Sequence, residues 1–500
     1  MAEPIRSVDR TTMLAHLGGW TAGPGPLYVR LAAAMAAAIE RGDISPGSRL
    51  PAERPLAKSL AVSRGTVMAA YERLRELGWA DSRQGSGTWI RLDVARPIDR
   101  LNDAGTDIRF RALSARLLED KQGVIDLTIG ASSAMDDLPE DVFVPPTRDA
   151  LERLGSGHGY LPLGLPALRH RITTYYTERE TDTTAGQIAV TSGAQQAISL
   201  IAQLVLKPGD AVIVESPTYP GAIDAFSRAG ARLVTVPPAT DWPNVSRLRA
   251  AIGANAARLV YLMPACHNPL GTVMTERRRR EIADVVDRHE VYLVEDNMLA
   301  ETVFDGRLAA PIAAFSRSGR VVTLGSLSKV GWGGLRTGWM RGSADVIDRV
   351  ARLKAATDFG TAVQPQVTAC TVLDRLEEIS AARRATLRVQ ADALQEELAR
   401  RLPAWTWRAP EGGLALWVRL PAGDADTFNQ HAVRHGVDVL PGSVLCADGQ
   451  DLDCVRIAFG KSVEVLREGA MRLARAWRTY DASAAPVAAP ADRLRRFPAV

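Results

Sequence analysis

The residues best suited to covalent chemistry lie directly after a predicted strand. The β-rich run VVTLG is followed by Ser326-Leu327-Ser328-Lys329, and Arg336 comes seven residues after Lys329 in the loop GWGGLR. A lysine amine at the end of a strand can bond to an aldehyde carbon, while serine hydroxyls and a guanidinium can bind a phosphate beside it. A lysine in such a position is usually only a surface charge, so the prediction depends on the serines and the arginine around Lys329.

Three further segments place polar groups near the ends of predicted strands. Gly193-Ala194-Gln195 follows the strand QIAVTS and opens a helix, where free amides can bind a phosphate. The alternative is a turn that binds nothing. Asp296 ends the strand VYLVED, a position at which an aspartate often only caps a helix. Arg456, in CVRIAFG, can hold a carboxylate through two parallel hydrogen bonds or form an ion pair within its sheet.

In this order the motifs resemble the fold-type I pyridoxal-phosphate aminotransferases, over about residues 123–475. The resemblance implies the cofactor pyridoxal 5'-phosphate, with Lys329 as the catalytic residue that bonds to its aldehyde. Asp296 would pair with the pyridinium nitrogen and keep the ring an electron sink. Asn268, in CHNPLG, would bind the phenolic oxygen, and Tyr219, in SPTYP, would stack on the ring, although a lone tyrosine is more often a core residue.

The same resemblance assigns the remaining contacts of the cofactor and the substrate. The residues implied to bind the cofactor phosphate are Ala194, Gln195, Ser326, Ser328 and Arg336. Tyr160, in GYLPLGLPALR, would reach the cofactor phosphate of a neighbouring subunit, which implies a homodimer. Gly130 and Arg456 would line the substrate side, with Arg456 on the α-carboxylate. The four cysteines lack zinc-site spacing, so no metal site is predicted.

One position departs from the aminotransferase pattern. Where a tyrosine shortly after the aspartate usually donates a hydrogen bond to the phenolic oxygen, this chain has Asp296-Asn297-Met298. With fewer donors, the phenolic oxygen should hold its shared proton more tightly. We therefore predict a raised pKa for the bound cofactor and a slower exchange of Lys329 for an amino compound.

The first hundred residues contain a different motif. A helical run over residues 27–41 is followed by two helices separated by the N-cap Ser63, and then by two short strands around the turn QGSG. The string PAERPLAKSLAVSRGTVMAAYERLRELGWADSRQGSGTWI resembles the GntR-type winged helix-turn-helix over roughly residues 26–92. Tyr71 and Leu74 would pack in its core. The DNA-binding residues that the resemblance implies are Arg54, Ser63, Arg64, Thr66, Arg83, Gly85 and Gly87. The alternative is a dimerisation module whose arginines are only solvated charges.

The net charge of the whole chain does not indicate this motif. The chain has 500 residues with 61 Lys+Arg and 57 Asp+Glu, a formal net charge of +4 that does not by itself indicate a nucleic-acid partner. Residues 1–100 hold 14 basic and 10 acidic residues, however, so the whole excess lies in the first fifth of the chain. The chain has no apolar leader and no run long enough to span a membrane, which predicts a soluble cytoplasmic protein.

A GntR-like head followed by an aminotransferase-like body resembles the MocR family of bacterial transcription regulators, and Asn297-Met298 is similar to its YczR-like members. The fold class implied is α/β: a winged head, a mostly parallel sheet and a smaller α+β lobe. The predicted domains are a head over residues 20–92, a linker over 93–122, a large cofactor-binding domain over 123–345, a C-terminal lobe over 346–480 and a disordered tail over 481–500.

Three functional hypotheses remain open from the sequence. The MocR resemblance implies a homodimer that binds double-stranded operator DNA and responds to pyridoxal phosphate, to a small amino compound, or to both. A working aminotransferase with an appended head is the alternative, because Lys329, Asp296 and Arg456 are all present. A scaffold that binds no cofactor is the third, and it predicts no cofactor absorbance and no effect of replacing Lys329.

Overall fold

The computed structural model describes most of the head and of the body. The described ranges are 26–40, 43–45, 47–83, 87–91, 123–132, 138–144, 146–154, 157–237 and 244–480, with isolated residues before position 26. The predicted linker and tail lie outside them, as does Gly85. No helix within the described ranges is long and apolar enough to cross a membrane.

The head is a winged helix-turn-helix, as the sequence predicts. Its elements are α1 (Leu27–Glu40), α2 (Glu53–Ser59), α3 (Arg64–Glu76), β1 (Ala80–Arg83) and β2 (Gly87–Ile90). The side chain of Ser63 caps α3 by accepting a hydrogen bond from the Thr66 amide at 3.0 Å. The buried face of α3 includes Tyr71 and Leu74, and Tyr71 also donates to the Pro51 carbonyl at 2.7 Å. The head therefore has its own core and its own buried hydrogen bonds.

The central sheet of the body has seven strands and is mostly parallel. They are β4 (Ile188–Thr191), β5 (Ala211–Glu215), β6 (Arg232–Val236), β7 (Leu259–Leu262), β8 (Tyr292–Asp296), β9 (Val321–Ser326) and β10 (Gly338–Arg341). Their order is β4-β10-β9-β8-β7-β5-β6, and β10 runs antiparallel to both of its neighbours. Almost every position of β5, β7, β8 and β9 is buried, because helices cover both faces of the sheet.

Helices of the large domain alternate with these strands. They are α4 (Arg148–Arg153), α5 (Pro166–Thr177), α6 (Ala194–Val205), α7 (Pro220–Arg228), α8 (Val245–Asn255) and α9 (Glu276–His289). Three more helices follow the sheet: α10 (Ala344–Thr357), α11 (Val363–Asp374) and α12 (Leu376–Arg401). Because α6 begins directly after β4, its first amides lie at the edge of the sheet where β8 and β9 end.

The C-terminal lobe is built on a small antiparallel sheet. Its elements are β11 (Thr406–Trp407), β12 (Ala415–Arg419), α13 (Ala425–Arg434), β13 (Val437–Asp438), β14 (Leu440–Pro441), β15 (Cys454–Ala458) and α14 (Val463–Thr479). The sheet order is β11-β12-β15-β14. The predicted strands GGLALWVRL and CVRIAFG are thus neighbours, and they bring Arg456 to the centre of this sheet.

One predicted strand lies in a different sheet from the one expected. The run IDLTIG, over residues 125–130, is typical of a buried strand and predicts a member of the large parallel sheet, but this prediction is wrong. Only β3 (Ile125–Asp126) is a strand, and it pairs in parallel with β13 of the C-terminal lobe. Leu127 extends this pairing by donating to the Asp438 carbonyl at 2.9 Å, and it packs in the core beside Gly469 of α14. A buried apolar strand fits any apolar surface, so its composition did not identify its neighbour.

A buried ion pair shapes the loop after α10. Lys354 has a fully buried side chain that bonds Asp358 at 2.9 Å, and the other carboxylate oxygen of Asp358 accepts from the Gly360 amide at 2.9 Å. Gly360 has φ +123°, and a Cβ there would lie 2.3 Å from the Leu161 carbonyl oxygen. Only glycine fits this turn.

We expect Gly360→Ala to lower the unfolding free energy of the body by about 3 kcal/mol, because it combines a backbone strain with a collision against backbone. Gly253→Ala is the matched control: nothing lies within 4 Å of its Cβ position in α8. There the helix propensity of alanine should add about 0.5–1 kcal/mol. Denaturant titrations followed by circular dichroism measure both changes, and equal stability of the two variants would contradict the structure of this loop.

Candidate cofactor site and DNA-binding head

Lys329 lies at the centre of the candidate cofactor site, at the end of β9. Its Nζ donates a hydrogen bond to the Gly130 carbonyl at 2.6 Å. Burial, together with the nearby charge of Arg456, lowers the pKa of Lys329 to about 8, although Asp296 opposes this shift. An amine with a pKa near neutrality is partly unprotonated, which is the form that attacks a carbonyl carbon.

Asp296 is fully buried at the end of β8, next to β9. Its Oδ2 accepts a hydrogen bond from the Tyr261 hydroxyl at 2.7 Å, and its Oδ1 accepts from the Met298 amide at 3.1 Å. Burial raises the pKa of Asp296, whereas these two donors and the charge of Lys329 lower it. The two hydrogen bonds hold the carboxylate in one orientation and favour its ionised form.

Sequence reasoning missed Tyr261. This residue lies on β7, parallel to β8, and is fully buried. Burial and the nearby carboxylate of Asp296 hold the pKa of Tyr261 well above its usual value, so its hydroxyl is a donor. The feature that could have identified it is a polar tyrosine inside the otherwise apolar strand RLVYLMP, because a buried hydroxyl needs a partner.

The predicted phosphate-binding residues lie around the N-terminus of α6. Gly193 precedes this helix with φ +122°, and a Cβ there would lie 3.1 Å from Nη2 of Arg336. The guanidinium of Arg336 therefore packs against the first turn of α6. Ser326 and Ser328 are bonded to each other through their hydroxyls at 3.1 Å. Among the described residues, the buried Oε1 of Gln195 and Oγ1 of Thr218 have no hydrogen-bond partner.

Tyr219 lies within the same group of charges. Burial, followed by the effect of Asp296, raises the pKa of Tyr219 to about 12, and Arg456 and Arg336 act in the opposite direction. A Cβ on Gly221 would lie 2.6 Å from the Tyr219 ring and 2.2 Å from Oε1 of Gln195. Because Gly221 has no Cβ, the Tyr219 ring and the Gln195 amide can occupy this space.

Arg456 completes the group from the C-terminal lobe. Its Nη1 donates to Oδ1 of Asn268 at 3.1 Å, and its Nη2 donates to the Thr128 carbonyl. The side chain is 4% exposed. A buried guanidinium close to Lys329 can hold a carboxylate with two parallel hydrogen bonds.

These observations fit pyridoxal 5'-phosphate. The structure offers a lysine of lowered pKa, a buried carboxylate for the ring nitrogen, an amide at Asn268 and a helix N-terminus flanked by hydroxyls and Arg336. The cofactor supplies an aldehyde and an electron-withdrawing ring when it is bound. The buried hydroxyl of Thr218 is a further group that could donate a hydrogen bond to a phosphate.

Two residues near the site have other surroundings. Tyr160 is 66% exposed, and its ring centroid lies 5.6 Å from that of the exposed Phe359. It is therefore available to a neighbouring molecule. His267, which precedes Asn268, is buried, and its Nε2 lies 3.4 Å from a carboxylate oxygen of the buried Glu215. This position fits a supporting role for His267 beside Asn268.

The predicted DNA-binding residues cluster at the amino ends of α2 and α3. Arg64 pairs with Glu53 at 2.9 Å while keeping half of its side chain exposed, and Arg54 is exposed beside it. Thr66 bonds the Ser63 hydroxyl at 2.9 Å.

In the wing, Arg83 is paired across the two strands with Gly87. Gly87 has φ +91°, and a Cβ there would lie only 3.0 Å from Nε of Arg49. The strands of the wing are thus packed against the segment before α2.

Comparisons with known proteins agree with both parts of the structure. Residues 122–473 match the family "Aminotransferase class I and II", and residues 27–90 match "Bacterial regulatory proteins, gntR family". The chain is 29% identical to the HTH-type transcriptional regulator YisV of Bacillus subtilis, itself described as uncharacterized, over 87% of this chain and 92% of that protein. This chain is a MocR-type regulator.

Other relatives include an enzyme as well as a further regulator. The arginine–pyruvate transaminase AruH of Pseudomonas aeruginosa is 31% identical over 74% of this chain and 94% of its own length. A relative from Rhizobium meliloti, named as the probable rhizopine catabolism regulatory protein MocR, is 29% identical over 66% of this chain and 68% of its own. Membership of the aminotransferase family is therefore shown by relatives with and without a head.

The MocR-type regulator also shares its body fold with solved enzymes. The kynurenine aminotransferase of Pyrococcus horikoshii, solved with the amine form of the cofactor, matches with a TM-score of 0.65 and 29% identity, covering 74% of this chain and 94% of that one. The cofactor of this fold is pyridoxal 5'-phosphate, which confirms the prediction. The individual contacts assigned to it above remain predictions.

Met298 should make the pKa of the bound cofactor abnormally high, because it supplies no hydroxyl to the phenolic oxygen. We expect Met298→Tyr to lower that pKa by about one unit or more, the effect of one added hydrogen bond to a charged oxygen. A pH titration of cofactor absorbance measures it. An unchanged titration, with normal cofactor content, would show that position 298 does not face that oxygen.

Tyr261 should act as a positioning residue for Asp296. We expect Tyr261→Phe to weaken cofactor binding about tenfold, since a lost hydrogen bond to a carboxylate is worth roughly 1.5–3 kcal/mol. It should also shift the pH titration of cofactor absorbance, which a purely structural defect would not do. Tyr292→Phe, at the other end of β8, is the matched control. If both variants titrate like the wild type, Asp296 does not need the Tyr261 hydroxyl.

Proposed function

We propose that this regulator is a homodimer whose affinity for operator DNA depends on pyridoxal 5'-phosphate, alone or together with a small amino compound. The observation that supports it is the combination, in one chain, of a GntR head and a Lys329-centred site that retains Asp296 and Arg456 but has Met298 where a tyrosine is usual. Such a site can bind the cofactor and a carboxylate while exchanging slowly. A ligand that stays bound and exchanges slowly suits regulation better than it suits catalytic turnover.

The DNA interface that we propose is the amino end of α3 with the wing. Arg64 and Thr66 lie in the first turn of α3, and Arg54 follows Glu53, the ion-pair partner of Arg64. In helix-turn-helix proteins the helix that corresponds to α3 enters the major groove. Arg83, Gly85 and Gly87 would follow the backbone or the minor groove. The charge excess of the first hundred residues supports this choice, because binding to phosphates is electrostatic.

The dimer that we propose places Tyr160 against the partner. Tyr160 and Phe359 are 66% and 63% exposed, and their rings contact each other. Exposed aromatic pairs are uncommon on monomers and frequent in interfaces. The backbone next to both rings is tightly packed. Gly360 follows Phe359, Leu161 follows Tyr160, and a Cβ on Gly360 would lie 2.3 Å from the Leu161 carbonyl oxygen. Sedimentation analysis of the wild type and Tyr160→Ala tests the dimer.

The second candidate function is a working aminotransferase, which the convergence of Lys329, Asp296 and Arg456 favours. Spectra recorded after the addition of amino acids distinguish the two. Rapid conversion of the cofactor to its amine form, with turnover on addition of a keto acid, supports the enzyme. Cofactor-dependent protection of upstream DNA in a footprinting experiment, without turnover, supports the regulator.

Arg64→Ala should weaken binding to operator DNA by about tenfold or more, because it removes a cationic contact in the first turn of α3. If Arg64 contacts a phosphate, the slope of affinity against salt concentration should fall by about one. Arg148→Ala, a 90% exposed arginine of the body, is the control. Fluorescence anisotropy of a labelled duplex measures both. Equal affinities of the two variants for the duplex would show that Arg64 does not contact the DNA.

A further inference from the structure

The C-terminal lobe contacts the head at the end of α13, where an arginine bonds the head's backbone. Nη1 of Arg434 donates a hydrogen bond to the Ala61 carbonyl at 2.7 Å, and α13 packs against α2. Ala61 lies in the turn between α2 and α3, where it has φ +50°. Its carbonyl comes two residues before Ser63, the cap of α3. The contact therefore reaches the residues that set the direction of the DNA-binding helix.

This contact is made to a backbone carbonyl and not to the side chains of the proposed DNA interface. Ala61 follows the carboxyl end of α2, whereas Arg54 lies at its amino end, and a seven-residue helix is about 10 Å long. The ion pair between Glu53 and Arg64 is also at the amino end. Arg434 can thus hold the head while DNA binds, so the contact orients the head instead of covering it.

Neighbouring side chains fix the position of Arg434. Its Nη2 lies 3.1 Å from Nδ1 of His431, and Nε2 of His431 lies 2.9 Å from the Thr479 hydroxyl at the end of α14. Burial first, and then the charge of Arg434 and the ring of His435, lower the pKa of His431 to about 4. His431 is therefore neutral near pH 7, and its Nδ1 accepts from Arg434. The guanidinium is held between the lobe and the turn.

A short segment connects α13 to the cofactor site. We call residues 123–130 the junction segment. Its Ile125 amide donates to the Gly436 carbonyl at 2.8 Å, two residues after Arg434, and Arg472 of α14 bonds the carbonyls of both Gly123 and Gly436. The start of the junction segment is therefore hydrogen-bonded both to the turn that follows α13 and to α14 of the C-terminal lobe.

The other end of the junction segment is hydrogen-bonded to the two side chains that would bind the cofactor aldehyde and a carboxylate. The Thr128 carbonyl accepts from Arg456, and the Gly130 carbonyl accepts from Lys329. Any cofactor or carboxylate that takes Lys329 or Arg456 as a partner competes with these carbonyls. Occupancy of the site therefore changes the hydrogen bonds of the junction segment directly.

We propose that the end of α13 is a docking surface for the turn of the head, and that Arg434 transmits the state of the cofactor site to the DNA-binding helix. The order of contacts is Lys329 and Arg456, the junction segment, α13, and the Ala61 carbonyl. The proposal rests on the proposed function for its DNA readout. It adds the surface and the residue through which a ligand acts on the head.

The test compares wild type, Arg434→Ala and Arg478→Ala, all as full-length protein with and without pyridoxal 5'-phosphate. Arg478 is an exposed arginine of α14, next to Thr479, and is the matched control. The probe is a fluorescein-labelled duplex that carries the footprinted operator. We expect the cofactor to change the affinity of the wild type and of Arg478→Ala by about fivefold or more, and that of Arg434→Ala by less than about twofold.

Two measurements separate this proposal from the proposed function. Cofactor absorbance and circular dichroism should be the same in the three proteins, because Arg434 does not touch the site. Hydrogen exchange of the peptide that spans residues 58–66 should be faster in Arg434→Ala, and it should depend on the cofactor in the wild type and in Arg478→Ala but not in Arg434→Ala. A wild type that binds no DNA overturns the proposed function alone. An Arg434→Ala protein with wild-type exchange, or with a wild-type response to the cofactor, overturns the docking surface.

Discussion

The burial of opposite charges at one edge of the central sheet is the constraint on which this structure depends. Asp296 and Lys329 end two adjacent parallel strands, and neither would remain charged there without the other groups. Burial penalises both ions; the Tyr261 hydroxyl and the Met298 amide offset that penalty for Asp296, and the charge of Asp296 offsets it for Lys329. The sheet order follows the same need, because only neighbouring parallel strands bring their carboxyl ends to a common edge.

Much of this arrangement could be predicted from the sequence. Motifs that follow strands in a fixed order located Lys329, Asp296, Asn268 and Arg456, because each depends on residues close to it in the chain. The winged head was equally local, since Ser63 caps its helix within three residues. Tyr261 was missed because its role depends on the register between β7 and β8, which no local pattern encodes.

The junction segment marks the limit of such predictions. Its apolar run is typical of a buried strand, yet its partner is β13, more than three hundred residues away. The pairing depends on long-range contacts, such as that of Leu127 with Gly469 of α14, which the run itself does not encode. The same is true of Arg434, whose contact with the head depends on two units that share no local sequence. Long-range contacts of this kind carry the coupling that distinguishes a regulator from an enzyme of the same fold.

The pairing of β3 with β13 also bears on how a head could be joined to an aminotransferase. The body begins with the segment whose carbonyls reach the cofactor lysine and the carboxylate-binding arginine. A domain fused upstream of that segment, here through a predicted linker over residues 93–122, is joined to the body beside the groups that would contact a ligand. An ancestral enzyme would have needed no new internal machinery to acquire control of a fused domain, since its own substrate-side segment already led to the point of fusion.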